Sequence, residues 1–432
     1  MATSTEILWN RRTWVLLTGA LAAVMLVTTV ALPGPAMVTG LAAIYYLLQR
    51  HVPPQEALLG TFLFATALAS TRMGSNQFMQ PLRFPLLALL LLAGLKRFRT
   101  WRPEERSAHW LWGLFLLVAV LLPTLINSGW QRPDVQIALL PAGWFIYGTI
   151  SFHLSEAERT DRFRMFAVLV PAIFLSMVVF GRVLPGQAQL VGRFRGWFGN
   201  PNEMSHWWLA ATAVLAALTL RMQRRDLLVV LGLATLYLYL RSGSRAPLGG
   251  ATFIFAGAWL ASRQTPRWLR LFAFLGAGAL LFVLPLLSVE QLSTFLPESV
   301  VRSETLEDGG GRLVAWRFGW EQLQERFWWG GGAGFEEFIY YKYQEILSML
   351  GHQGLSHNSY LAFALNFGVI GGAGLVLSLW YKLGLLRSQH VFLLALPFLV
   401  TTFFEGVLTS PLNATTPIWF VGASLVAQEL KR

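Results

Sequence analysis

The chain has 432 residues, 55% of them hydrophobic and 13% charged, where soluble domains run near a quarter charged, so composition alone makes it a membrane protein. It contains no cysteine, which excludes disulfides, thiolate metal sites and cysteine nucleophiles. Its net charge of +12 does not call for nucleic acid, because most of the cations sit in short loops between apolar runs, where membrane topology accounts for them.

The first apolar run, 14–32, is followed by no small-residue cleavage site and reads as a retained helix. Further runs fall at 35–49, 55–71, 82–95, 108–126, 135–152, 164–183, 204–220, 226–240, 244–262 and 267–288, and after a polar interval at 358–381, 390–408 and 415–428. With ~20 residues needed per span and several runs shorter than that, the expected fold is an all-α polytopic membrane protein of about 12–14 transmembrane helices. Placing Arg11 and Arg12 in the cytoplasm puts the basic loops "KRFRTWRPEER" (96–106), "ERTDRFR" (158–164), "RMQRRD" (221–226) and "SRQTPRWLR" (262–270) on the same side. Any even number of spans then leaves both termini inside.

This topology turns one long polar segment outward and divides the chain into 1–288 (membrane helices with short outer Arg-bearing loops), 289–356 (a helical cap) and 357–432 (C-terminal membrane helices). A segment of that size is too large for a mere connector. Within it, Leu313, Trp316, Trp320 and Leu323 recur at helical spacing and predict one amphipathic helix. Phe335, Phe338 and Tyr341 or Lys342 set the face of a second, after a glycine turn. The adjacent Glu336 and Glu337 read as solvated carboxylates. No His/carboxylate cluster has metal-ligand spacing.

His357 stands where the cap ends and the next apolar run begins. One reading is a histidine that marks the interface, with Asn358 capping the helix; the other is a neutral imidazole able to take a proton from a sugar hydroxyl. A helix dipole beside it disfavours imidazolium and predicts a neutral ring. His352 has only the interfacial reading. Three outer segments bring arginine to the same side. "GRFRGWFGNPN" carries Arg193 and Arg195 before the turn at Asn200–Asn202, "RSGSR" carries Arg241 and Arg245 around a minimal turn, and "GGGR" ends in Arg312. Each arginine alone fits snorkelling at an interface. Together they suit a phosphate-bearing, lipid-linked substrate, since guanidinium groups match phosphate oxygens and neutralise a leaving pyrophosphate.

At these residues the sequence resembles the O-antigen ligase family, membrane transferases that complete bacterial lipopolysaccharide. The family signature (His, then Asn, Ser or Gln, nine residues, Gly, two residues, then Gly, Thr or Tyr) is met by His357, Asn358, Gly368 and Gly371. "GRLVAWRFGWEQLQERFWWGGGAGF" is similar to the segment before that signature, with Arg312 in the family's arginine position, and "RFRGWFGNPN" to the family's earlier outer turn, matching Arg193 and Asn200–Asn202. The similarity spans about 190 to 375. It implies transfer of a glycan from undecaprenyl pyrophosphate to lipid A–core at the periplasmic face of the bacterial inner membrane, without cofactor, metal or nucleotide. His357 would be the general base and Arg193, Arg195, Arg245 and Arg312 the pyrophosphate clamp, supported by Arg241, Asn202 and Asn358.

Glycan repeat-unit polymerases and protein O-oligosaccharyltransferases share the signature and the donor class. The chain carries no large soluble C-terminal extension of the kind found in some protein-glycosylating relatives. A lipid-linked glycan transporter is the non-enzyme alternative. It predicts ionisable residues at mid-membrane and paired, broken helices, whereas most spans here lack a central charge and no half-to-half symmetry is apparent.

Overall fold

A computed structural model describes residues 11–30, 35–70, 76–127, 135–261, 311–383, 397 and 401–429. The expected run at 267–288, the first part of the cap (289–310) and most of 390–408 lie outside the described residues. The helices follow the apolar runs: α1 Arg11–Val30, α2 Pro35–Gln49, α3 Pro54–Leu68, α4 Asn76–Phe98, α5 Pro103–Ile126, α6 Val135–Ala138, α7 Leu140–Ser151 and α8 Glu156–Val183. A short hairpin, β1 Gln189–Leu190 and β2 Arg193–Phe194, precedes α9 Pro201–Arg221, α10 Arg225–Ser242 and α11 Arg245–Ala261. Then come α12 Arg312–Gln324, α13 Phe335–Lys342, α14 Gln344–Met349, α15 Ser359–Leu383 and α16 Thr415–Glu429. Among the described residues, α1, α4, α5, α8 and α15 are long and apolar enough to cross a membrane. The protein is an all-α polytopic membrane protein.

The chain forms two compact units, each drawn from separated segments. The first comprises 1–101, 146–258 and 412–432. In it α1 packs on α8, α3 on α2 and α4, and the almost wholly buried α9 on α10 and α16. The stretch "ERTDRFR", expected as a loop, is instead the first turns of α8. Ser155 caps that helix, its backbone N–H donating to Glu158 Oε2 at 2.7 Å while its Oγ accepts from the Glu158 backbone at 3.3 Å. Arg162 therefore points inward, and its fork donates to both oxygens of the buried Glu56 at 2.8 and 2.9 Å. Removing one partner of such a buried pair strands the other charge, at a cost of about 3–5 kcal/mol.

The second unit comprises 102–145 and 259–411. Here α15 lies against α5 and supports the cap helices α12 and α13. It is not continuous: Gly368 has φ +70° and ψ 175°, and the helix breaks there. The glycine-rich loop before α13 fills the break. Gly331 and Gly332 N–H donate to the Leu365 and Asn366 carbonyls at 2.8 and 2.7 Å, and Val369 N–H donates to Phe327 O at 2.8 Å. The backbones are so close that a Cβ on Gly368 would lie 2.0 Å from Trp328 O. The signature glycine is thus explained by architecture, not by substrate.

Three expectations for this unit are corrected. The buried face of α12 is Ala315, Gly319 and Leu323, while Leu313 and Trp320 are exposed. The reason is close approach: a Cβ on Gly319 would meet Tyr340 Oη at 2.8 Å and Leu361 at 2.9 Å, so small residues, not large ones, face the core. On α13 the buried residues are Glu336, Ile339 and Tyr340, whereas Phe338 and Tyr341 are exposed. Finally, of the membrane helix expected over 390–408, the described end is not helical from 402 to 408, and the rest lies outside the described residues. The polar groups of Thr402 and Glu405 in that stretch serve the site described next.

Candidate functional site

The site in the second unit is built around Ser356–Ser359. His357 has φ +50°, a left-handed conformation that residues with a Cβ adopt rarely and that clusters at functional positions. Its neighbours hold it there. Ser356 N–H and Oγ–H both donate to Glu336 Oε1, at 3.1 and 2.5 Å, and the Ser356 carbonyl accepts from Trp316 Nε1 at 2.9 Å. Asn358 Oδ1 accepts from the Tyr360 and Leu361 N–H groups at 3.0 Å each, capping α15 as its sequence position suggests. Cap helices α12 and α13 thus fix the residue before His357, and α15 fixes the residue after it.

Glu336 is buried, not solvated as expected. Burial raises its pKa, against the opposing pull of the Ser356 hydrogen bonds. His352 is buried too, its Nε2 within 3.2 Å of the Gly354 carbonyl and its ring edge-on to His357 at 5.9 Å between centroids. Burial and the neighbouring His357 lower its pKa. Gly311, with φ +77°, approaches the Gly351–His352 backbone so closely that a Cβ would lie 2.4 Å from Gly351 O. The glycine before Arg312 therefore admits the protein's own loop.

Glu405 joins the two site residues of this unit. Its Oε2 lies 3.3 Å from His357 Nδ1, and its Oε1 accepts from Arg312 Nη2 at 3.0 Å. The carboxylate is 14% exposed, the imidazole 37% and the guanidinium 29%, so the pair sits at an accessible edge. Burial pushes the His357 pKa down, but the hydrogen bond and charge of Glu405 outweigh it and the repulsion of Arg312, leaving a net upward shift. The ring is therefore easier to protonate than the helix dipole alone predicts. A carboxylate at 3.3 Å dominates because a full charge outweighs a helix end's partial one.

The other predicted residues belong to the first unit. Arg193, on β2, donates from Nε to the Ser242 carbonyl at 2.6 Å and from Nη2 to Asn202 Oδ1 at 2.7 Å and Ser244 Oγ at 3.2 Å. It ties the Ser242–Ser244 turn, whose Gly243 is left-handed, to the start of α9. Arg195 braces its own loop, donating to Gln187 O at 3.1 Å and Gly199 O at 3.0 Å. Arg245 opens α11, and Arg241, in the last turn of α10, is exposed. Asn200 caps α9 by accepting from the Asn202 N–H at 2.8 Å. One turn thus gathers Arg193, Asn202 and the residues flanking Arg245.

Sequence reading missed Glu405, Glu336 and Arg83. Glu405 is the one acidic residue between Glu345 and Glu429, and a lone acid in an apolar stretch is itself a signal. Arg83 carries the same signal inside the run of α4; it is buried and donates to the Leu412 carbonyl.

No curated protein matches the chain significantly. The family model described as O-antigen ligase matches residues 227–376, which include Arg241, Arg245, Arg312 and the His357 signature, whereas Arg193, Arg195 and Asn202 precede the match and Glu405 follows it. The signature histidine, asparagine and glycines lie inside that match, so over residues 227–376 the chain is similar to the O-antigen ligase family.

Proposed function

We propose that the protein is an O-antigen ligase that transfers a glycan from undecaprenyl pyrophosphate to the outer sugar of lipid A–core at the periplasmic face of the inner membrane. The observation that carries this reading is an imidazole and a guanidinium sharing one carboxylate, since transfer from a pyrophosphate needs a base for the acceptor and a cation for the leaving group. The acceptor hydroxyl gives its proton to His357 as its oxygen bonds to the anomeric carbon. The bond from that carbon to pyrophosphate breaks, and its electron pair stays on the leaving oxygen. Direct displacement inverts the anomeric centre and needs no glycosyl-enzyme. Arg312 stabilises the developing phosphate charge. The proposal keeps Arg193, Arg195 and Arg245 as further pyrophosphate-binding residues, with Arg241, Asn202 and Asn358 in support.

Incubating purified protein with lipid-linked glycan and either lipid A–core or a second donor molecule tests the reading. Glycan on lipid A–core is expected. A lengthened lipid-linked chain would instead make the protein a repeat-unit polymerase, and no product in either mixture would count for a transporter.

The periplasmic assignment follows from the alternation of basic loops. In this naturally cysteine-free chain, a cysteine placed at the exposed Ser348 should react with a membrane-impermeant reagent in cells whose outer membrane admits it. One at the exposed Ser107 should stay protected until the inner membrane is opened. The reverse pattern would place the site in the cytoplasm and end the proposal.

A further inference from the structure

Glu405 lies outside the family match, yet its carboxylate faces His357 Nδ1 and Arg312 Nη2 at once. The Ser359 backbone and hydroxyl register it against the helix that follows His357. Ser359 N–H donates to Thr402 O at 2.9 Å, Ser359 Oγ–H donates to Glu405 O at 2.9 Å, and Leu408 N–H donates to Ser359 Oγ at 3.2 Å. Ser359 itself is fully buried. The carboxylate and the imidazole are thus held opposite each other by bonds through the Ser359 backbone N–H and hydroxyl that do not depend on their own contact.

We propose that Glu405 is a positioning residue for glycan transfer, fixing the His357 ring with its proton on Nδ1 and its lone pair on Nε2 toward the acceptor hydroxyl. The substrate in this inference rests on the ligase reading; the pairing does not. A ring nitrogen facing an anionic oxygen carries the hydrogen, so in the neutral ring the basic nitrogen is Nε2. The Gln353 backbone also accepts a hydrogen bond from the ring, but it is neutral where Glu405 is anionic, so in the neutral ring the carboxylate keeps the proton. Gly354 lies beside Nε2. Its φ is +101°, and a Cβ on it would stand 3.3 Å from Nε2. Once the ring takes the acceptor's proton, both nitrogens are donors, and the carboxylate behind Nδ1 stabilises the new charge. Among the described residues Arg312 donates to Glu405 through Nη2, and its Nε and Nη1 are the atoms that would serve donor phosphate. One carboxylate therefore sets the orientation of both the base and the cation.

The test combines titration and kinetics on the full-length protein. ¹⁵N imidazole spectra, with the His357 signals identified by their loss in His357→Gln, should show a neutral ring protonated on Nδ1. Glu405→Gln should lower the His357 pKa and carry the acidic limb of the rate–pH profile down by the same amount. The plateau rate should fall roughly a hundredfold, with the acceptor KM nearly unchanged. Glu405→Asp should restore part of the rate. Among the described residues the other charged or titratable groups acting on the ring are Arg312, His352 and Glu336, and they are the same in all variants, so a movement reports on Glu405.

A ring protonated on Nε2 in the unaltered protein, a reading that needs no variant to fold, would overturn the inference. So would a His357 pKa that does not move in Glu405→Gln. A shifted pKa in a protein that transfers no glycan, even unaltered, supports the pairing and refutes the ligase reading instead.

Discussion

His357→Ala is expected to lower glycan transfer by roughly the 10²–10⁴-fold typical of a lost general base, while membrane insertion and donor binding stay largely intact. The ring sits at a partly open edge, and the Ser359 bonds that hold Thr402, Glu405 and Leu408 beside it do not use the ring, so its removal should act chiefly on turnover. Rate measurements at saturating donor and acceptor check this. Weakened donor affinity with near-normal turnover would make His357 a binding residue and remove it as the base. Retained anomeric configuration in the product would also sink direct displacement, even with His357 essential.

The His357–Glu405 pair gives this prediction a pH signature. The folded-state pKa of His357 is raised above its ordinary 6.5. The stability that the ion pair contributes is therefore fully present below about 6.5 and is lost as pH rises through the raised value. Transfer requires the neutral ring, so activity runs the other way, rising as pH climbs through the same value. A rate–pH profile and thermal unfolding followed across that window should show these opposite trends.

Arg312→Ala should cost on the order of a hundredfold or more in transfer, because charge-assisted contacts to phosphate in a desolvated site contribute a few kcal/mol. Arg312→Lys should be a poor substitute. Among the described residues the guanidinium serves Glu405 through Nη2, and its remaining nitrogens form a planar fork that can grip phosphate oxygens at fixed angles, which a point-charge ammonium cannot. The loss should appear in turnover and in donor affinity together, since the phosphate is bound in the ground state and gains charge as it leaves. Full transfer by a folded Arg312→Ala protein would remove it from the site.

Sequence by itself determined the membrane class, the positions of most helices, the minimal turn at Ser242–Ser244 and the family signature at His357. These depend on local quantities: apolar run length, the glycine and cap residues beside a turn, and residue spacing. Tertiary structure decided what those rules do not reach. Hydrophobic size predicted that Leu313 and Trp320 face the core, but close helix approach selected Ala315 and Gly319. Charge predicted a solvated Glu336 and a loop at Arg162, but each found a buried partner distant in sequence, Ser356 for one and Glu56 for the other. The helix dipole predicted an unfavourable imidazolium at His357, but Glu405, 48 residues away, reversed that preference. A carboxylate's effect on a ring depends on a few ångströms of separation, and only the folded chain sets that distance.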